Sequence, residues 1–275
     1  MIQDELPSVV MERLYAIRQV VRAHTGLAPR LALALSPALP KPAEIMAVSS
    51  VVPADRLPDV FPLDCTDDLV LGMLANTAVV AWRVPEATGR ARVPNVRARG
   101  FPVRLAGLLG ADVLFVAGDA VALTPAGGTS LALVDDHLNL LGANPLVGPN
   151  LDALGPRFAD MTGAYDAALR AMGREVAARR GIATGGGVLA AIPSLDLATP
   201  ANCSALRDAG ADLVSSATVP EVIVARHMGM RSLALLAVTE FRLSDDRVAP
   251  RDGAAGGRAV ADTVSVLREM AARIG

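Results

Sequence analysis

The sequence predicts a three-layer α/β domain whose central sheet is largely parallel or mixed. Short, continuously apolar runs that end at turn residues alternate with stretches of helical periodicity. Such runs are typical of strands buried on both faces, and their alternation with helices is typical of layered α/β folds. Neither an internal repeat nor a long Pro/Gly/Ser linker divides the chain, so one domain over residues 1–275 is expected.

The individual elements follow from the same patterns. An amphipathic helix is predicted over residues 8–24, and Leu31–Leu35 forms the first apolar run, which Ser36-Pro37 ends. Further strands are predicted at 69–71, 78–82, 113–116, 130–134, 188–192, 213–214 and 233–238. Further helices are predicted at about 101–110, 158–180, 200–210, 219–228 and 256–274. Residues 84–100 and 242–257 lack apolar periodicity, and we expect surface loops there.

Composition excludes several classes of function. The chain has 26 Lys+Arg against 28 Asp+Glu, a net charge of −2, so a nucleic-acid partner is not expected. It has no uncharged apolar stretch of about 18 residues, and charges run through residues 1–25, so neither a membrane span nor a signal peptide is expected. Two distant cysteines favour a reducing cytoplasm, and the three histidines show no metal-ligand spacing, so no metal is expected.

Polar residues follow six of the predicted strands. Because ligands of open α/β sheets bind beyond the strand ends, these residues are candidates for a site. Each alone could be a cap or a turn former, and the cluster as a whole carries the prediction. The candidates are Ser36, Arg83, Gly118-Asp119, Ser194 with Asp196, Ser215-Ser216 and Thr239-Glu240.

Residues 218–227 read TVPEVIVARH and predict a helix that follows Ser215-Ser216 directly. Thr218 is a candidate N-cap, and Glu221 stands three residues later, as in a capping box. The amides of a helix N-terminus at this place could hold an anion. A capped, buried helix without a ligand explains the same residues, so both interpretations stay open.

At this point the chain resembles a known family. Residues 210–227 are similar to GAD-x-V-x-MSTVPEVIVARH, the C-terminal signature of the trimeric purine nucleoside phosphorylase and methylthioadenosine phosphorylase family. Residues 136–150 resemble its DHINL…NPLxGPN, residues 157–166 its RFPxMSxAYD, and residues 101–111 its FPVR-x-x-x-LLG. The resemblance implies a three-layer α/β/α sandwich with a mixed sheet and a homotrimer. It also implies phosphorolysis of purine nucleosides through an oxocarbenium-like transition state, with phosphate as the co-substrate and no other cofactor.

The resemblance assigns phosphate-binding roles to several positions, where the chain often differs from the family. Ser36 matches the serine of the family's GSGLG loop, but the flanking glycines are absent and Pro37 lacks an amide donor. Cys65 stands at the histidine of PGHAG, and Ala217 at the serine of MST. Arg83 matches the arginine of GRFHxYEG and keeps its anion donors. Losing about three charge-assisted donors, each worth about 1.5–3 kcal/mol, predicts phosphate binding weaker by orders of magnitude.

Positions that face the nucleoside also differ. Residues 117–122, which include Asp119, replace the TNAAGG loop that lines base and ribose. Ser194 and Asp196 lie in the counterpart of the purine-recognition motif GPSFET, where Asp196 could replace the glutamate that reads the base edge. Ser216 replaces the methionine that faces the ribose, and Glu240 the asparagine that contacts the purine N7. Leu154 falls near the aromatic lid that the family takes from a neighbouring subunit.

Three hypotheses on function remain open. In the first, the protein cleaves a nucleoside-type ligand: Glu240 protonates the leaving base, and Ser36 and Arg83 bind phosphate or another anion. Ordinary phosphorolysis is doubtful, and if phosphate is excluded, water attacks with Asp119 as base.

In the second, the pocket serves another reaction of a specialised biosynthetic pathway, since the replacements are polar, and Cys65 is then a possible nucleophile or an inert thiol. In the third, the protein is a non-catalytic trimer that binds a ligand. Ser194, Ser215 and Thr239 are substrate contacts in the first hypothesis.

Overall fold

The computed structural model describes residues 6–53, 69–84, 96–127, 130–194, 199–242, 249–250 and 253–275. This part of the chain contains ten strands and seven α-helices. The strands are β1 Leu31–Leu35, β2 Ala47–Val52, β3 Leu69–Leu74, β4 Thr77–Arg83, β5 Val113–Ala122, β6 Leu131–Asn139, β7 Thr184–Ala191, β8 Leu213–Ser215, β9 Arg231–Phe241 and β10 Ala249–Pro250. The helices are α1 Pro7–His24, α2 Pro42–Ile45, α3 Val96–Leu109, α4 Ala167–Arg179, α5 Pro200–Asp208, α6 Val219–His227 and α7 Gly253–Ala272.

All ten strands belong to one mixed sheet with the order β10-β9-β6-β7-β8-β5-β1-β4-β3-β2, which confirms the predicted mixed α/β fold. Strand β1 is parallel to both β4 and β5, and β5 is parallel to β9. A further feature was not predicted from the sequence. Because β5 pairs with β9 as well as with β8, the strands β5, β9, β6, β7 and β8 close into a ring.

Helices cover the sheet on both faces, as a three-layer fold requires. The side chains of β1 alternate between the faces: Ala32 and Ala34 pack with α1, α3 and α6, whereas Leu31, Leu33 and Leu35 pack with α2, α4 and α7. Every residue of β1 is fully buried, and each buried leucine contributes about 1.5–3 kcal/mol. The strand therefore fixes where its carboxyl end, and Ser36 after it, lie in the core.

Several predicted boundaries differ from the structure, and three elements were not predicted. The helix predicted over 158–180 begins only at Ala167, because the Asp166 carboxylate caps it by accepting from the Leu169 amide at 2.9 Å. The loop predicted over 84–100 gives way to α3 at Val96. The edge strands β2 and β10 and the short α2 were not predicted; in β2 most residues are exposed, so it lacks the apolar run by which buried strands are found.

Several strands are longer than predicted, and the extensions of β5 and β9 concern the site. Strand β5 continues from Val116 to Ala122, and β9 continues from Val238 to Phe241, because these segments pair with each other and β5 also pairs with β8. Asp119 and Glu240 therefore lie within strands rather than in the loops after them. Among the helices that the structure describes, none is both long enough and apolar enough to cross a membrane.

Candidate active site

A serine and an aspartate meet at the carboxyl end of β1. The Ser36 hydroxyl donates to the Asp119 carboxylate, with 3.0 Å between Oγ and Oδ1, and the Ser36 amide donates to the Ala117 carbonyl at 2.9 Å. Gly118 leaves room for this contact, because a Cβ at that position would lie 3.3 Å from the Ser36 Cβ. Ser36 is only 3% exposed. The pair is therefore held in place by two parallel strands.

Arg83 is the last residue of β4 and closes the loop that carries the serine. Its Nη2 donates to the Pro37 carbonyl at 2.7 Å and its Nη1 to the Leu39 carbonyl at 3.3 Å. The register pairs Arg83 with Leu35, so the guanidinium lies beside the loop that begins at Ser36. Arg83 thus positions the loop at this edge, and its predicted contact with substrate stays a prediction.

The end of β8 joins the same place and leads into a strained turn. The Ser215 hydroxyl donates to the Asp119 carbonyl at 2.9 Å and accepts from the Ala217 amide at 3.3 Å. Thr218 has a φ of 90° and a ψ of −56°, and the Val219 amide donates to the Ala217 carbonyl at 3.2 Å. This tight γ-turn is rare for a β-branched residue and costs about 1–3 kcal/mol. Ser216 directly precedes the turn, so its position depends on the contacts that hold the turn in place.

The capping box predicted from Thr218 and Glu221 is wrong. Thr218 makes no side-chain cap, and its buried hydroxyl has no partner among the described residues. Glu221 instead accepts two hydrogen bonds from Arg99 of α3, at 2.7 and 2.9 Å. A third nitrogen of Arg99 donates to the Ser216 carbonyl at 3.0 Å. The buried ion pair therefore fastens the strained turn to α3.

Thr239 and Glu240 lie near the end of β9, which carries a β-bulge. Val238 pairs with Ala120 and Glu240 with Val121, so Thr239 is the additional residue on β9. The Glu240 Oε1 accepts from the Arg242 Nε at 2.5 Å, and this hydrogen bond raises the pKa of the Arg242 guanidinium. Glu240 thus lies on the strand next to that of Asp119, two residue pairs further along the ladder between β5 and β9. Its carboxylate is paired with the Arg242 guanidinium.

The remaining candidates are Ser194, Cys65 and Asp196. Ile192, the first residue after β7, donates its amide to the Ser215 carbonyl at 3.0 Å, and Ser194 follows two residues later. Cys65 and Asp196 lie outside the described residues. Within those described residues, no group of three or more His, Cys, Asp or Glu side chains could hold a metal ion.

The contact between Ser36 and Asp119 is the feature that the sequence analysis missed. The two residues were predicted as separate strand-end candidates, and nothing in their spacing of 83 positions pairs them. One signal was present: Asp119 interrupts the apolar run of residues 113–122, and a carboxylate in a buried strand needs a partner. The neighbouring Ser36 hydroxyl provides it.

Comparisons with known proteins identify the family of the chain. A family model described as "Phosphorylase superfamily" matches residues 38–274, and the chain belongs to that superfamily. Within it, the relatives and solved structures named below are purine nucleoside phosphorylases, which confirms the family predicted from the sequence.

Two curated relatives are purine nucleoside phosphorylase 1 of Bacillus subtilis, 37% identical over 176 residues, and that of Geobacillus stearothermophilus, 40% identical over 142 residues. These matches cover 62% and 51% of this chain and 63% and 52% of the relatives, so the chain spans about half to three fifths of their length. The Schistosoma enzyme in complex with guanosine is 25% identical with a TM-score of 0.83, and the match covers 96% of this chain and 97% of that one. The Schistosoma mansoni enzyme in complex with adenosine is also 25% identical with a TM-score of 0.83, and that match covers 96% and 98% of the two chains.

Proposed function

We propose that the protein cleaves the N-glycosidic bond of a purine-type nucleoside, with water rather than phosphate as the nucleophile. Membership of the superfamily and the likeness to structures that hold guanosine or adenosine support the nucleoside as ligand. The observation that carries the choice of water is the hydrogen bond from the Ser36 hydroxyl to the Asp119 carboxylate.

The Asp119 carboxylate determines which nucleophile can bind beside Ser36. By its resemblance to the family, Ser36 stands where a phosphate would be bound, yet its hydroxyl already donates to an anion. A phosphate dianion there would also meet the Asp119 charge, and two unit charges 4 Å apart repel by about 4 kcal/mol at an effective dielectric constant of 20. Water carries no charge and can give its proton to a carboxylate. The site therefore favours hydrolysis over phosphorolysis.

The chemical step can be assigned to two carboxyl groups. Asp119 takes a proton from water as the new oxygen–carbon bond forms at the anomeric carbon, and the bond from that carbon to the purine nitrogen breaks. Positive charge grows on the ribosyl ring, and the Asp119 carboxylate stabilises it. The purine leaves with the bonding electron pair, and Glu240 supplies a proton to it.

The other predicted residues complete the proposal as substrate contacts. Ser215 of β8 and Thr239 of β9 donate to carbonyls of β5 at Asp119 and Ala120, and Ser216 follows Ser215 directly. Ser194 lies two residues after Ile192, whose amide donates to the Ser215 carbonyl. Arg83 holds the loop after Ser36. Cys65 and Asp196 keep the roles that the resemblance gives them. We also propose a cytoplasmic location, which the cysteine content predicts.

The test is the dependence of base release on phosphate. Purified protein is incubated with inosine, guanosine or adenosine in phosphate-free buffer and in the same buffer with phosphate added, and free base is quantified by chromatography. We expect one of these substrates to release base at rates within about twofold in the two buffers, with ribose as the product. Oxygen from labelled water should appear in that ribose. Fast release that requires phosphate and yields ribose 1-phosphate would overturn the proposal.

We also propose that the chain assembles as a homotrimer. Phe158 and Val147 are 85% and 63% exposed. Both line a surface depression of about 410 Å³ that lies between the end of β6 and the loop that follows it. Two large apolar side chains on one exposed depression are typical of a surface that another chain covers. The family resemblance supports a second copy of this chain as the occupant.

A further inference from the structure

A cavity of about 80 Å³ lies between α1, α3, the C-terminal end of α6 and the loop at residues 145–151. Its walls are mostly apolar, and polar groups gather at one part of the lining. The residues that matter here are Val10, Phe101, Arg104, Leu146, Asn150 and His227. None of the strand-end candidates that the structure describes lines this cavity, so it is separate from the described part of the proposed active site.

Arg104 is the unusual residue of this cavity. It is only 8% exposed, and its Nη2 donates to the Pro145 carbonyl at 3.3 Å. Its Nε is buried and has no hydrogen-bond partner within the described part of the chain. No carboxylate of the described residues forms an ion pair with it, and burial together with the charge of Arg97 lowers the pKa of its guanidinium to about 10. A buried cation without a counter-charge is strongly unfavourable, so this guanidinium requires an anion.

Within the described part of the chain, no acidic residue lines the cavity beside Arg104. His227 is buried and its Nε2 lies 3.1 Å from the Asn150 Oδ1. Its pKa is lowered first by burial and then by the charge of Arg104, while the backbone of Gly155 acts in the opposite direction. Residues 97 and 98, in the first turn of α3, also line the cavity. The N-terminus of a helix carries partial positive charge, which stabilises a bound anion.

We infer that this cavity is a binding site for a small oxyanion, a phosphate or a carboxylate, which Arg104 holds. A water molecule needs about 10–15 Å³ of such space, so a cavity of about 80 Å³ has room for an anion of four or five heavy atoms. The planar guanidinium presents donors in the fork geometry that suits two oxygens of one anion. Val10, Phe101 and Leu146 exclude water from the contact and so strengthen it.

The inference is tested by anion-dependent thermal unfolding of the full chain at constant ionic strength. Inorganic phosphate and acetate are titrated separately against a chloride background, with the wild type, Arg104→Met, Arg104→Lys and Ser36→Ala. At about ten times its dissociation constant, a bound anion should raise the midpoint by about 3–6 °C. We expect phosphate or acetate to do so in the wild type and in Ser36→Ala, more weakly in Arg104→Lys, and not in Arg104→Met. The anion that raises the unfolding midpoint more at equal concentration identifies the class of ligand, phosphate or carboxylate.

A second sign separates this site from a merely structural arginine. Without phosphate or acetate, Arg104→Met should be at least as stable as the wild type, because it removes an uncompensated buried charge. In the wild type, binding should also raise the pKa of His227 in an NMR titration. Stabilisation that persists in Arg104→Met, or that Ser36→Ala abolishes, overturns the inference. So does an absence of any anion effect combined with loss of oligomers in Arg104→Met, which would give the counter-charge to a second copy of the chain.

Discussion

Arg99 and Glu221 form a bidentate ion pair that is almost completely removed from solvent. The side chains are 3% and 1% exposed, and the two nitrogen–oxygen distances are 2.7 and 2.9 Å. Since Arg99 also donates to the Ser216 carbonyl, one guanidinium holds α3, α6 and the turn before α6 together. The pair therefore links the packing of two helices to the shape of the candidate site.

Breaking this pair should be costly, and removing both partners should cost less. We expect Arg99→Met or Glu221→Leu alone to lower the free energy of unfolding by about 3–5 kcal/mol, because each leaves a buried charge unpaired. The double variant should lose less than the sum of the two, which urea denaturation measures directly. Asp112→Asn is the matched control: it breaks an ion pair with Arg30 whose side chains are 57% and 61% exposed, and should cost about 0–1 kcal/mol. Additive effects in the double variant would contradict this account.

Asp119→Asn should remove the proposed general base while keeping its volume. Base release should fall by about 100-fold or more, since an amide cannot take the proton from water. Chromatographic measurement of kcat provides the test, with Asp112→Asn, just before the same strand, as the control. If the Asp119→Asn variant keeps more than about a tenth of wild-type activity, Asp119 is not the base.

Asp119→Ala should change the nucleophile. Removing the carboxylate frees the Ser36 hydroxyl and lifts the repulsion that a phosphate dianion would meet. We expect phosphate to accelerate base release by about tenfold or more in this variant and to leave the wild type within about twofold. Phosphorus NMR would detect the ribose 1-phosphate formed. Equal phosphate dependence in the two proteins would show that Asp119 does not exclude phosphate.

Asp166 should make stability depend on pH in the acid range. Its hydrogen bond with Arg231, at 2.7 Å, and that with the Leu169 amide lower the pKa of the carboxyl from 3.8 to about 2. A lowered pKa stabilises the fold above about pH 4, and this contribution disappears as the pH falls towards about 2. Because Arg231 is half exposed, we expect about 1–2 kcal/mol. Asp166→Asn keeps the cap and should lose this amount at neutral pH, with the difference from wild type closing near the lowered pKa in urea denaturation.

Phe158→Asp should weaken the proposed trimer. A carboxylate at a position that is 85% exposed costs the isolated chain little, but it would be buried between copies. Sedimentation velocity should show the trimer dissociating at concentrations where the wild type is intact. Tyr15→Asp, at an exposed aromatic residue of α1, is the control and should stay assembled. A trimer that is equally stable in Phe158→Asp would place the interface elsewhere.

The sequence predicted what depends on local pattern and missed what depends on contacts over long distances. The apolar run Leu31–Leu35 defined a buried strand correctly, and the TVPEVIVARH segment identified both a helix and the family. The lengths of β5 and β9 were underestimated because their ends are set by pairing with each other. For the same reason Asp119 was predicted in a loop, and its contact with Ser36 was not predicted at all. Glu221 fitted a local motif, yet a partner 122 positions away determined its role.

The closed ring of strands has a consequence for how the molecule opens. Strands β2 and β10 end the order of the sheet, and each has a neighbour on one side only, whereas every strand of the ring is paired on both sides. Amide protons of the ring should therefore exchange with solvent only when the whole domain unfolds, and those of β2 should exchange by local fraying. Asp119 is on β5 within the ring, so its backbone should stay ordered under conditions that already loosen the periphery of the sheet.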